Sequence, residues 1–484
     1  GDGFAMGVGT FICNGKRDKS ALEEVFHRYD GSVRDIQQQL MGSYVILVAK
    51  DNELVIFIDG GGLYNFYYQI GDDDLIAANS LFHLGAGLDD VPLNEDAVVQ
   101  AIFQYAILND ETIIEGVRRL RGDQALVFEG NSWEVRNLPS ISWAIPYDEA
   151  FWPSISRRFE HFGYAFERPG VGMTGGQDSR TALALLLSAG VRPQLVYWRG
   201  NSTTTNTKQV DEDIVNAIAA RCNLVVKKWN AYDGGREGFR ADLRKYGEYA
   251  LAYGYNENLF RELRSTQCDF LTFGYFGELL RNIEEIGAYQ KEKFSIEEYF
   301  DDLYLRGSYG NAYGNYARYR LAQIEFLKEF CLGCGLDPEN LTKNDFQIIH
   351  TETYRKRADV FLENFANLFV YSTTVLGDKV ITDTISKLPF DVKQESRPML
   401  EALSALAVEL LEIPFYSHSR KMVYDQERFC LRDAHGVQQS LKQYVQQNKK
   451  SAWYYSLARN LYHILNGDRK SLREAQRDGA ERQA

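Results

Sequence analysis

Only six cysteines are spread over the 484 residues. Cys331 and Cys334, in FCLGCGL, form the one close pair. A lone C-x-x-C with no second pair and no histidines beside it is a poor zinc ligand set; two small residues packed on one helix is the better reading. Long apolar runs are missing too. The longest, YVILVA and LVIFI, are strand-sized and far below the roughly 18 residues that cross a bilayer. Positive charge is not in excess either. Lys and Arg number 54 against 67 Asp and Glu, a net −13, so neither nucleic acid nor an anionic membrane is an expected partner. No secretory leader is visible, and a reducing, cytoplasmic setting is the expected one.

What remains is a soluble-type composition, 45% hydrophobic and 25% charged, with core enough for two or three domains. Tyrosine (30) and phenylalanine (28) are abundant, which suits cores where a ring is buried and a hydroxyl stays paired. The first 140 or so residues read as mostly β. MGVGTFIC is a strand candidate, and ALEEVFHRY a short amphipathic helix with Leu22, Val25, Phe26 and Tyr29 on one face. GSYVILVAKDNELVIFIDGGG, YNFYYQIGDDDLIAANS and DQALVFEGNSWEVRNL read as hairpins, the last turning at Gly130-Asn131. The character changes near Pro146 to Pro153. From Gly170 strands and helices alternate: GVGMT, a helix from Ser179 to Ala189, QLVYWRG, a helix from Asp211 to Cys222, NLVVKKW, a long helical stretch, then CDFLTFGY. That alternation predicts βαβ units and a parallel sheet. From about residue 291 the pattern is helical, including TETYRKRADVFLENFANLFVY and RPMLEALSALAVELL, interrupted by a surface loop at 307–319. A polar tail closes the sequence.

The chemistry concentrates in GVGMTGGQDSRTALALLL. Two glycines after an apolar strand let the backbone turn tightly and bring successive N–H groups toward a ligand. The helix behind them aims its N-terminus at the same point, and Thr174 and Ser179 add hydroxyls. This is an anion site suited to pyrophosphate. It has neither the Walker lysine nor the G-x-G-x-x-G spacing. Asp178 would repel phosphates unless a hard cation such as Mg²⁺ stood between them. The competing reading is a plain strand–turn–helix junction capped by Asp178-Ser179.

TGGQDS resembles the S-G-G-x-D-S loop of the PP-loop ATP pyrophosphatase superfamily, and the chain is similar to its asparagine synthetase-like branch, which includes β-lactam synthetases and lasso-peptide cyclases. LMGSYVILVAKDNELVIFIDGGGLYNFYY, LIAANSLFHL and VRRLRGDQALVFEGNSWEV follow the order of the glutamine-amidotransferase-like domain of that branch. LTFGYFGELLRN stands in place of its S-G-E-G-x-D-E segment, and ISKLPFDVKQESRPML resembles a later stretch. The resemblance runs through most of residues 5–425. It implies an α/β protein with an N-terminal layered αββα, Ntn-hydrolase-like domain over 1–145. An asparagine synthetase-like, parallel-sheet PP-loop domain of the adenine nucleotide α-hydrolase type, with a helical extension, would span 150–466, and a polar tail 467–484.

The resemblance further implies that ATP is bound by Met173, Thr174, Gly175, Gly176, Asp178, Ser179, Arg180, Trp198 and Gly274, and Mg²⁺ by Asp178 and Glu278, the latter also catalytic. Each has a plainer counterpart: Glu278 as a helix-start charge, Met173 and Trp198 as core, Arg180 as a first-turn ion pair. Lys421 is the candidate for the lysine that steadies charge in the transition state, against a solvated basic turn, with His418 as a proton shuttle or a surface histidine. Active amidotransferases of the branch begin with a cysteine. Here the first is Cys13, inside a predicted strand, so the N-terminal domain is expected not to release ammonia unless a cysteine was trimmed. The expected activity is AMP-forming ligation of a small-molecule or peptide carboxylate to an amine. A glutamine-dependent asparagine synthetase or a catalytically silent nucleotide-binding scaffold are the alternatives. A homodimer or a partner protein from a biosynthetic cluster is left open.

Overall fold

The computed structural model describes residues 3–433, apart from 52, 73, 89–90, 105, 200–204, 230–237, 252–256, 282–290, 305–315, 359, 418–419 and 428–429. The surface loop at 307–319 falls largely, and the polar tail entirely, outside them. Two sheets of different kinds organise the chain.

The first is a six-stranded antiparallel sheet in the order β2 (Lys16–Arg17), β1 (Phe4–Cys13), β3 (Leu40–Lys50), β4 (Glu53–Ile58), β8 (Gln124–Glu129), β9 (Ser132–Asn137). Alternation of side chains gives it two apolar faces. Tyr44, Ile46, Val55, Phe57 and Val127 pack under helices α1 (Asp18–Arg28) and α2 (Val33–Gln39). Val45, Ile56, Ile58 and Leu126 face Tyr64, Phe66 and Tyr68 near a second, three-stranded sheet: β6 (Leu75–Ala78), β5 (Tyr67–Ile70), β7 (Arg118–Arg119). Helix α3 (Leu81–Ala86) covers the outer side of that sheet through Leu81 and Leu84. The layers run helix, sheet, sheet, helix. Gly130 and Asn131, at φ 60° and 72°, close the β8–β9 hairpin with the two left-handed residues that a two-residue turn needs.

The second sheet is wholly parallel, in the order β12 (Val226–Trp229), β11 (Gln194–Trp198), β10 (Pro169–Gly172), β13 (Phe270–Thr272), β16 (Tyr371–Ser372). Helices lie on both faces. Val171, Leu195 and Phe270 pack with α5 (Phe151–Ala165) and α6 (Asp178–Ser188), whereas Val196 and Leu271 pack with Phe260, Leu362 and Phe365. The first of these cores also takes in Ile12, Met41, Leu63 and Trp143, so one apolar cluster joins residues of both sheet systems.

Several elements differ from the sequence pattern. The helix expected at Asp211 starts at Thr205. GFRADLRKYGEYAL is broken at Gly247, whose φ of 60° ends Phe239–Tyr246 and starts a 3₁₀ turn. TETYRKRADVFLENFANLFVY is not one helix: Thr351–Arg355 is a π-helical turn, Phe361–Ala366 a short helix, and Tyr371–Ser372 the fifth strand of the parallel sheet. A three-stranded antiparallel unit, β17 (Phe415–Ser417), β18 (Arg420–Asp425) and β19 (Cys430–Asp433), occupies part of the remainder whose pattern reads as mainly helical. No described helix is long and apolar enough to cross a membrane.

His350, at the end of helix Lys343–His350, stacks between the rings of Phe346 and Tyr354. Burial pushes its pKa down to about 3. An unfolded histidine titrates near 6.5, so below that pH the unfolded chain takes the proton first, and stability falls as pH drops toward 3. The expected contribution to the slope is about 1.4 kcal/mol per pH unit. Urea titrations at pH 7 and pH 5 should show His350→Phe losing less stability over that interval than the parent; equal losses would refute it.

Candidate functional site

Strand order 12-11-10-13-16 reverses direction between β10 and β13. In open α/β sheets that switch point, at the carboxyl ends of the strands, opens a crevice for ligands. Both motifs of the sequence reading emerge there. The glycine loop follows β10, and the segment Phe273–Glu278 follows β13. Between them is a cavity of about 330 Å³, within the size range of nucleotide and drug-sized sites. Met173, Thr174, Asp178, Ser179, Trp198, Gly274 and Glu278 all line it.

The loop is held by its own polar groups. Ser179 Oγ accepts the Thr174 N–H at 3.1 Å and meets Thr174 Oγ1 at 3.1 Å, and Thr174 Oγ1 accepts the Gly176 N–H at 3.2 Å. The Gly175 N–H donates to the Asp211 carboxylate, and its carbonyl accepts from Tyr416 of β17. Gly175 and Gly176 therefore shape the loop but do not line the cavity.

The β13 segment approaches α6 so closely that two glycines are obligatory. A Cβ on Gly274 would lie 2.7 Å from the Asp178 carbonyl carbon, and one on Gly277 would lie 2.6 Å from Asp178 Cγ. Between them Phe276, buried in the core, is held at φ 67°, a left-handed conformation that costs a non-glycine residue about 1–2 kcal/mol. The result is that Glu278 is brought to the same place as Asp178.

What meets these carboxylates was not foreseen. Arg281 Nη2 lies 3.4 Å from Asp178 Oδ2 and 3.7 Å from Glu278 Oε1, and Arg355, from the π-helical turn, pairs with Glu278. Neither arginine carries a local sequence signal. Arg281 is three residues beyond Glu278 but 103 beyond Asp178, and Arg355 lies in a segment whose pattern reads as helix.

Trp198 and Phe273, edge to face at 5.7 Å between centroids, form an apolar wall of the cavity, with Val196 and Leu362 also lining it. Such a wall suits a planar base.

One expectation changes. Arg180 does not reach the cavity. Its guanidinium is fully buried and donates to the carbonyls of Leu410 (2.9 Å), Ile413 (2.7 Å) and Pro414 (2.8 Å), and at 3.4 Å to that of Gly175 from behind the loop, over the Phe415 ring at 3.7 Å. Burial pushes its pKa down to about 9. The helix points this residue away from the loop's open side, so it serves the fold rather than a phosphate. Lys421 lies in β18, in register with Tyr416, whose N–H binds Gly175. Its backbone is thus one strand spacing, about 5 Å, from the strand that braces the loop. His418 lies outside the described residues. Cys13 is 1% exposed and its thiol is pushed up by burial first and by Glu24 second, the reverse of what a thiolate nucleophile requires. Cys331 is a core residue of helix Tyr316–Gly333, and Cys334 is exposed just beyond its end.

No protein-family model matches the chain, and no curated protein matches it. Among solved structures, a U34-tRNA thiolase NcsA from Methanococcus maripaludis with its [4Fe-4S] cluster aligns at 13% identity over 68% of this chain and 83% of its own, with a TM-score of 0.23. A glutamine phosphoribosylpyrophosphate amidotransferase from B. subtilis, complexed with ADP and GMP, aligns at 10% identity over 50% of each chain, with a TM-score of 0.19. The allosteric regulatory enzyme of purine biosynthesis aligns at 10% identity, again over 50% of each chain, with a TM-score of 0.18. The chain thus spans half the length of the last two.

Proposed function

We propose that the chain is an ATP-dependent ligase that adenylates a substrate carboxylate, releasing pyrophosphate, and passes the acyl group to an amine. The observation that carries this reading is the meeting of two carboxylates, Asp178 from the loop after β10 and Glu278 from the turn after β13, at the switch point of a parallel sheet beside a cavity of about 330 Å³.

ATP is read into the cavity with its base against Trp198 and Phe273 and its phosphates toward Thr174, Ser179 and the N-terminus of α6, where unpaired helix N–H groups favour anions. The residues fit Mg²⁺. Asp178 and Glu278 offer hard oxygens that share Arg281 as a partner, which marks a point where positive charge is favoured. Among the described residues no group of three or more His, Cys, Asp or Glu side chains could hold a metal alone. That suits an ion that takes one or two carboxylates and finds its other ligands in phosphate and water. When bound, Mg²⁺ would neutralise charge on the polyphosphate.

In the first step a carboxylate oxygen of the substrate attacks the α-phosphorus, the bond from that phosphorus to the bridging oxygen breaks, and pyrophosphate leaves with the electron pair. In the second, the amine nitrogen attacks the acyl carbon, the carbon–oxygen bond to AMP breaks, and the amine gives up a proton. The chain's part is to orient the phosphates with the loop and helix terminus, to exclude water with the apolar wall, and to steady developing negative charge with Lys421. On this reading residues 150–466 form the ligase domain and 1–145 an amidotransferase-like domain without the nucleophile.

The test is pyrophosphate release from Mg·ATP across a panel of carboxylic acids, with amines, ammonia or glutamine as nitrogen donor. Turnover with an acid and a free amine is expected. Turnover supported by glutamine would replace the reading with that of a glutamine-dependent synthetase. No turnover with any acid and no nucleotide binding would leave a silent scaffold.

A further inference from the structure

Resting on that reading of the site, we propose that Arg281 and Arg355 form a guanidinium clamp for the β- and γ-phosphates, kept in store by Asp178 and Glu278 and transferred to the polyphosphate when a divalent cation takes the two carboxylates.

The charges come first. Two carboxylates at the mouth of a polyphosphate site oppose an anion that carries several negative charges of its own. Arg281 and Arg355 bring the local sum of the four side chains to zero. Arginine is also the side chain whose planar fork matches phosphate oxygens two at a time.

Geometry shows why the arginines can be handed over. Arg281 stands 3.4 and 3.7 Å from its two carboxylate partners, beyond the roughly 2.7–2.9 Å of a tight charge-assisted hydrogen bond. It is shared between two partners and closely bonded to neither. Arg355 approaches Glu278 from the opposite side of the sequence, on a π-helical turn, a rare distortion found mainly where function needs a side chain re-aimed. Both guanidinium groups are mostly withdrawn from water, at 24% and 16% side-chain exposure, so their charge is little screened. Neither lines the cavity. Each is linked to it through a carboxylate that does.

The exchange is pairwise. A cation with its polyphosphate presents one positive and several negative partners. Asp178 and Glu278 turn to the first and release Arg281 and Arg355 to the second. No charge is left buried without a partner at either end, which is the condition for a rapid exchange in a partly desolvated site. This also gives product release a handle, since loss of the cation returns the arginines to the carboxylates and loosens pyrophosphate.

The probe is inorganic pyrophosphate, titrated calorimetrically into the full chain with and without Mg²⁺, with adenosine as a phosphate-free control. With Mg²⁺, Arg281→Gln and Arg355→Gln are each expected to weaken pyrophosphate binding about tenfold, and the pair about a hundredfold, while adenosine affinity stays within twofold. Without Mg²⁺, Glu278→Gln should strengthen pyrophosphate binding several-fold by releasing its arginine. That gain should vanish in Glu278→Gln/Arg355→Gln, a coupling that a merely structural ion pair would not produce. Pyrophosphate and adenosine weakened equally, or pyrophosphate unaffected by either arginine variant, would overturn the clamp alone. A parent chain that binds neither probe would overturn the ligase reading and the clamp with it.

Discussion

Asp178→Ala is expected to lower ATP-dependent pyrophosphate release by about 10³-fold or more while leaving the chain folded. The two halves of that expectation come from different physics. For activity, Asp178 is the carboxylate at which the loop, the α6 terminus and the β13 turn converge: Gly274 and Gly277 are packed directly against it. No neighbour replaces it, since Glu278 approaches from the other strand and Asp211 is committed to the Gly175 amide. For stability, its losses are small. The pair with Arg281 is long and a third exposed, a class of contact worth about 0–1 kcal/mol, and a negative charge on the first helical residue adds about 0.3–1 kcal/mol. A urea midpoint near that of the parent, with turnover gone, is therefore the outcome that supports the reading. Turnover within tenfold of the parent would remove Asp178 from the chemistry. Turnover lost together with cooperative unfolding would make it a structural residue.

How much of this was legible in the sequence differs between the strands and the site. The short β-branched runs YVILVA and LVIFI and the Gly130-Asn131 turn mark the antiparallel hairpins, because each signal is local. The strand–helix alternation after Gly170 marks four strands of the parallel sheet for the same reason. The fifth, Tyr371–Ser372, is two residues long and follows Phe361, Phe365 and Phe369 at helical spacing, so the helix-like period overrides it. β17–β19 hides for a different cause. Its strands run three to six residues and find partners in distant elements, Phe415 under the Arg180 guanidinium and the Tyr416 N–H on the Gly175 carbonyl. At the site the loop and Glu278 are readable because motif and chemistry coincide. Arg281 and Arg355 are not, since a salt bridge across 103 or 77 residues leaves no pattern along the chain. Arg180 stands in sequence beside a glycine loop, which invites a phosphate role, and only packing shows where its helix turns it.

That buried arginine gives the largest stability effect to be expected. Arg180→Met is expected to cost about 3–5 kcal/mol of unfolding free energy, because its guanidinium donates to four backbone carbonyls, and removing it takes a donor from those of Leu410, Ile413 and Pro414 while leaving that of Gly175 to Tyr416 alone. The carbonyls of Leu410, Ile413 and Pro414 lie on the chain just before β17, at 0% exposure of the arginine between them, so water does not readily take its place. Methionine fills much of the volume but donates nothing, and lysine, with one nitrogen, cannot span the four acceptors that the planar fork reaches. The damage should be directional. β17 carries Tyr416, whose N–H holds the Gly175 carbonyl, so loosening it unbraces the phosphate loop and the strand of Lys421 together. Hydrogen exchange should therefore rise first at Tyr416 and the β18 amides, and nucleotide affinity should fall even below the unfolding transition. Arg157→Gln, on an exposed face of α5 where its guanidinium donates to Ser154 Oγ, should change stability by no more than about 0.5 kcal/mol. A urea midpoint for Arg180→Met no lower than that of Arg157→Gln would mean that the carbonyl cage holds nothing in place, and that β17 stays on the loop by other contacts.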